Sequence, residues 1–168
     1  SVSGDVRITA AAELTRAKSV SGDIVLTDAS AERDLQAETA SGSIEGEDVT
    51  IRRLEMSTVS GDVLLVDVRS SRADISSVSG SIEYEGALAE DGRYDFQVHS
   101  GQVTLRIPDT VGFELDASSF SGSIRSDLPL ETNAVDTGRR RRLEGRFGDG
   151  SAFLDITSFS GDIVIERR

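Results

Sequence analysis

One short phrase returns along this chain and constrains it more than any other feature. It is Ser-Gly followed by Asp, Ser or Gln and then by Ile or Val, and it begins at Ser3, Ser21, Ser41, Ser60, Ser79, Ser100, Ser121 and Ser160. The intervals are 18, 20, 19, 19, 21 and 21 residues, then 39. A fixed period of this length marks a repeat architecture, in which each unit buries its apolar face against its neighbours. The last interval is close to twice the others, so one phrase near Arg141 is missing or overwritten.

Each unit reads as two strands around the Ser-Gly. After the glycine, apolar residues alternate: Val6 and Ile8, Ile24 and Leu26, Val63 and Leu65, Val103 and Leu105, Ile163 and Ile165. Before the serine they fall four and six places back, as in Ala37 and Leu35, Met56 and Leu54, Phe96 and Tyr94, Ala117 and Leu115, Ile156 and Leu154. Period two over short runs rich in β-branched residues predicts half-buried strands. Only Ala10–Ala17 fits helical spacing, and strand spacing fits it about as well. The chain is therefore all-β. Coils of 19–21 residues marked by Ser-Gly corners fit a parallel β-solenoid over residues 1–168, about 40 Å long at ~4.8 Å per coil. A hairpin-built sandwich explains the alternation but not position-specific identities that recur in every coil.

The glycines Gly4, Gly22, Gly42, Gly61, Gly80, Gly101, Gly122 and Gly161 are then structural corners, where a Cβ would be penalised. Two places before each serine stands Ser19, Thr39, Thr58, Ser77, Val98, Ser119 or Ser158. In a stack, these hydroxyls form a column able to bond turn groups that the ladder leaves unpaired. Val20, Ala40, Val59, Val78, His99, Phe120 and Phe159 form an adjacent, mostly apolar column. After the glycine come Asp5, Asp23, Ser43, Asp62, Ser81, Gln102, Ser123 and Asp162, in which only Asp5 and Asp23 would be acidic neighbours. That spacing suits a structural column and not a calcium ladder, and the nonapeptide calcium repeat is absent.

The pattern lapses at about 127–150, where Pro129, Asn133, Gly138, Gly145, Gly148 and Gly150 signal turns. Leu143, Gly145 and Phe147 keep a weak alternation, so a strand survives there without the corner. Arg139, Arg140, Arg141 and Arg142 form the one dense basic cluster. They are the candidate contact for an acidic glycan, phosphate or protein partner; the plainer reading is a solvated loop whose arginines pair with nearby carboxylates.

Composition excludes several function classes. A net charge of −12 disfavours nucleic acid and anionic lipid. There is no cysteine, hence no disulfide or thiolate metal site, and no apolar run long enough to span a membrane as a helix. No cofactor or metal motif is present. His99, the one histidine, sits in the corner column beside Ser100, where a packing role outweighs that of a base. Glu45, Glu47, Glu83 and Glu85 alternate with inward residues and read as a wet strand face, not as paired glycosidase acids. "GRFGDGSA" leads into a strand pattern, so it lacks the helix N-terminus of a phosphate loop. With no Trp, 2 Tyr and 6 Phe, an aromatic carbohydrate platform is not expected.

The repeated "SGDI", "SGSI" and "SGDV", the stretch "IPDTVGFELDASSFSGSIRSDLPL" and the closing "GDGSAFLDITSFSGDIVIERR" resemble the bacterial DUF4097 family, described as candidate adhesins. The resemblance covers essentially the whole chain. It implies a β-solenoid-like domain placed outside the cytoplasm, periplasmic or at the cell surface, with no catalytic residues to carry over. The expectation is a non-enzymatic envelope module that binds an unidentified protein or glycan. The alternatives are a self-assembling scaffold joined through its solenoid ends, like a bactofilin polymer, and an enzyme acting on polysaccharide. The phrase-first start without Met suggests a piece of a longer protein; the amino end begins abruptly at a phrase, while the carboxyl end finishes in the charged "ERR".

Overall fold

The computed structural model describes residues 4–9, 16–136 and 141–168. In chain order the strands are β1 (Val6–Thr9), β2 (Arg16–Ser21), β3 (Ile24–Thr27), β4 (Ser30–Ser41) and β5 (Ile44–Glu47). There follow β6 (Thr50–Ser60), β7 (Val63–Ser79), β8 (Ile82–Ser100), β9 (Val103–Ile107) and β10 (Phe113–Ser121). The last five are β11 (Ile124–Ser126), β12 (Glu131–Asp136), β13 (Arg141–Phe147), β14 (Ala152–Ser160) and β15 (Ile163–Arg167). No helix occurs among the described residues. Residues 10–15, part of the stretch with ambiguous spacing, lie outside them; Arg16 onward is strand.

The strands before each Ser-Gly form a front wall and those after it a rear wall. The front wall runs β2, β4, β6, β7, β8, β14 and β10 in parallel. The rear wall runs β1, β3, β5, β7, β8, β9, β15 and β11, also in parallel. The long β7 and β8 belong to both. Phrases lie over phrases: Ser21 pairs Ser41, Ser41 pairs Ser60, Ser60 pairs Ser79 and Ser79 pairs Ser100. The chain is thus β-solenoid-like, and its sheet does not close. Alternate residues enter the core as the period-two pattern requires. Ile24, Leu35, Leu54, Met56, Ile75, Tyr84, Tyr94, Phe96, Leu154 and Ile156 are all buried.

The bends show why the phrase repeats. Gly61 has φ 149°, and a Cβ there would lie 2.0 Å from the Gly42 carbonyl oxygen; at Gly161, φ 155°, the Gly101 oxygen would be 1.8 Å away. Positive φ and a neighbouring backbone together exclude every other residue type. The hydroxyl column does what its position predicts: Thr39 and Thr58 donate at 3.2 Å to the Gly22 and Gly42 carbonyls, and Ser119 at 3.1 Å to Gly161. The Asp after glycine ties one coil to the next. Its Oδ1 accepts the backbone N–H of the equivalent residue, Ser43 to Asp23, Ser81 to Asp62 and Ser123 to Asp162, each at 2.7 Å.

A second corner carries no obvious phrase. Asp28, Asp48 and Asp67 adopt φ of 54°, 53° and 54°, turning the chain from the rear wall into a short side wall at Ser30–Ala31, Thr50–Ile51 and Arg69–Ser70. Asp tolerates this left-handed region better than most residues with a Cβ.

Two expectations are corrected. The coils do not stack in chain order. Ser160 pairs with Ser100 on one side and Ser121 on the other, so β14 and β15 lie between the sixth and seventh phrases. Gly101 N–H donates to Ser160 O, and Gly161 N–H to Ser121 O. The "ERR" terminus therefore lies within the rear wall, with Arg167 paired to Ile107. At the far end of the front wall β13 pairs β10 antiparallel and β12 pairs β13 antiparallel. The overwritten phrase near Arg141 is thus a hairpin laid against the last coil, whose inner strand β13 runs against the parallel repeat.

Candidate functional site

Outward residues of the front wall line up from coil to coil, because each strand stands in register with the next. Counting back from each Ser-Gly from Ser60 onward, position one holds the mostly apolar column, position three polar uncharged residues, position five acids and position seven a partly basic row.

The apolar column stacks as expected, but outside the core. Val20, Val59, Val78, Phe120 and Phe159 are each about half exposed. The inserted strand sets Phe159 between His99 and Phe120. The rings are parallel, with centroids 4.7 Å apart for His99–Phe159 and 5.1 Å for Phe159–Phe120. Their separations match the coil spacing, so the faces meet one another and the rims face solvent. A sugar laid flat on an aromatic face is not what this ladder offers. Beside it runs a groove of about 640 Å³, floored by Ser57, Ser76, Gln97 and Thr157.

The acid column escaped sequence reasoning. Glu55, Asp74, Asp95, Asp155, Asp116 and Glu144 are successive cross-strand neighbours. The position five places before each phrase from Ser60 onward carries the signal, but Asp155 joins Asp95 to Asp116 only through the inserted coil. Burial, then the neighbouring Asp95, pushes Asp74 and Asp155 above the usual carboxylate range; Glu55 adds to this at Asp74 and Asp116 at Asp155, against Arg53 and Arg142 respectively. No group of His, Asp or Glu among the described residues is arranged to hold a metal ion.

The raised values fix a sign. A carboxyl whose folded pKa exceeds its unfolded one destabilises the fold when ionised, so the penalty is full at neutral pH and fades as pH falls. Asp74→Asn and Asp155→Asn should each add about 0.5 kcal/mol at pH 7 after solvent screening, and almost nothing below about pH 4. Asp162 is the opposite case, held below the usual range by the Ser123 N–H and hydroxyl. Asp162→Asn should destabilise at pH 7 and converge with wild type in acid. Thermal melts across pH check both signs.

Of the basic cluster, Arg139 and Arg140 lie outside the described residues. Arg141 donates to the Gly122 carbonyl at 2.8 Å, and Arg142 grips Asp116 at 2.6 and 3.0 Å and approaches Glu144 at 2.9 Å. Arg142 thereby neutralises the end of the acid column. On the rear wall Glu83 pairs with Arg106, and Glu85 with Arg168 at 3.0 Å. His99 is committed to the ring stack.

The sequence matches the profile of the Toastrack DUF4097 family over residues 1–166. The chain belongs to that family. No match is found among curated proteins. A crystal structure of a candidate cell adhesion protein from Clostridium sporogenes resembles this Toastrack chain with a TM-score of 0.47 and 15% identity, covering 75% of this chain and 56% of the other. The Toastrack chain thus spans just over half the length of that protein. Among its described residues no helix is long and apolar enough to cross a membrane.

Proposed function

We propose that this Toastrack domain is a non-enzymatic binding module of the bacterial cell envelope, adhesive in role, whose front wall receives the partner. The observation that carries the reading is the exposed column from Val59 to Phe120 beside a continuous groove. Monomeric proteins seldom leave contiguous apolar rows in water unless something docks there. Rigidity supports it too, since every rung of the face is held by backbone bonds to two neighbours. The His99 ring, spent on stacking, supports binding over turnover. Arg139–Arg142 is a second proposed contact, though Arg141 and Arg142 already have partners within the chain. End-to-end assembly draws less support, because the antiparallel hairpin sits where another parallel coil would add to the front wall.

Beads coated with the protein should adhere to purified envelope preparations. Phe120→Ser with Phe159→Ser should cut adhesion about tenfold, as loss of central aromatic anchors does elsewhere. Adhesion that survives this change but is lost on replacing Arg139–Arg142 with Ala would move the contact to the hairpin. No adhesion by the intact chain defeats the proposal.

A further inference from the structure

The front wall carries two stripes of different chemistry, and their spacing suggests what covers them. Asp155 and Phe159 are four residues apart on β14, which separates the acid and apolar columns by ~13 Å. Between them lies the floor of small polar side chains. From Val59 to Phe120 the apolar stripe climbs five coils, about 19 Å. An α-helix is ~10–12 Å across with its side chains, and about 13 residues of it cover that length.

Two carboxylates beside the ring stack make no ion pair among the described residues. Asp116 is taken by Arg142, but neither Asp95 nor Asp155 has a cation within 4 Å among the described residues. The flanking row Arg53, Arg72, Arg93 gives way to Phe153 at this height, and the Arg93 guanidinium lies over the Phe153 ring at 5.4 Å. The ring rims suit aliphatic side chains wedged against them. Resting on the binding-module reading, we infer that the front wall docks a basic amphipathic helix of a partner protein, apolar flank on Val78, Phe159 and Phe120, lysines or arginines over Asp95 and Asp155. A second copy of this chain is a poor occupant, since it carries the same −12 charge and has no helix among its described residues.

The probe is a synthetic helical peptide of about 14 residues with leucine on one flank and lysine on the other, titrated against the full chain by fluorescence anisotropy. Its counterpart has glutamate for lysine. The lysine peptide should bind at least about tenfold more tightly, and weaken as salt rises. Phe120→Ser with Phe159→Ser should cost about tenfold, and Asp95→Asn with Asp155→Asn should cost a similar factor and flatten the salt dependence. These side chains are at the surface, and circular dichroism melts confirm that the variants fold. Equal binding of both peptides, or wild-type binding by either variant, overturns the inference. So does a dimer in sedimentation that the phenylalanine variant dissolves, or phenylalanine-dependent binding to phosphatidylcholine vesicles. If the lysine peptide fails while envelope adhesion still depends on Phe120 and Phe159, the binding module stands and the helical partner falls.

Discussion

Gly161→Ala should lower the melting midpoint by about 10 °C, although it adds only one methyl group at a half-buried bend. Gly161 has φ 155°, and its new Cβ would lie 1.8 Å from the Gly101 carbonyl oxygen. No side chain can swing away, because the obstacle is backbone. Relief requires the bend to lift off Gly101, breaking the bond from Gly101 N–H to Ser160 O. It would also disturb the bond from Gly161 N–H to Ser121 O on the other side. Strain of this kind with local ladder loss costs about 3–5 kcal/mol, and in a domain of this size each kcal/mol moves the midpoint by roughly 2–4 °C. Ser160→Ala, next door and exposed, sets the baseline. A Gly161→Ala protein melting with wild type would show that the bends are looser than their register implies.

The second large effect is expected from deleting residues 152–168. In a repeat array built in chain order, losing a terminal unit shortens the stack and leaves the others paired. Here the deleted coil lies inside the stack, between β8–β9 and β10–β11. Leu154, Ile156, Ile163 and Ile165 are fully buried, and at about 1.5–3 kcal/mol each their loss approaches the whole stability of an ordinary domain. The expected result is loss of the cooperative urea transition, with amide exchange becoming fast across residues 113–126 and 141–147. Direct re-pairing of Ser121 over Ser100, seen as retained protection in those segments, would mean that the inserted coil is dispensable.

Much of this is legible locally. The Ser-Gly spacing marks the coils, the alternation marks the faces, and the position of Thr39, Thr58 and Ser119 predicts hydroxyls bonded to turn backbone groups, which the structure identifies as the bend carbonyls. The left-handed corners at Asp28, Asp48 and Asp67 are not legible in sequence, because a lone Asp between two strands has many other uses. Of the candidate site, the column through Val59, Val78 and His99 could be drawn from spacing alone. Its exposure could not, since an apolar residue one place before a bend can point either way until the turn is built. The hairpin hid behind turn residues and arginines, whose pairing partners Asp116 and Glu144 are set by an antiparallel register that no repeat announces.

The sequence by itself determined the unit: a coil of two main strands, a glycine bend with its bonded hydroxyl, and columns of like residues. Only the tertiary structure decided which unit lies beside which. Every coil presents nearly the same edge of N–H and C=O groups, so local preference cannot rank one neighbour over another. Long-range pairing places Ser160 between Ser100 and Ser121, and with that choice come the ring stack of His99, Phe159 and Phe120 and the unbroken acid column beside it.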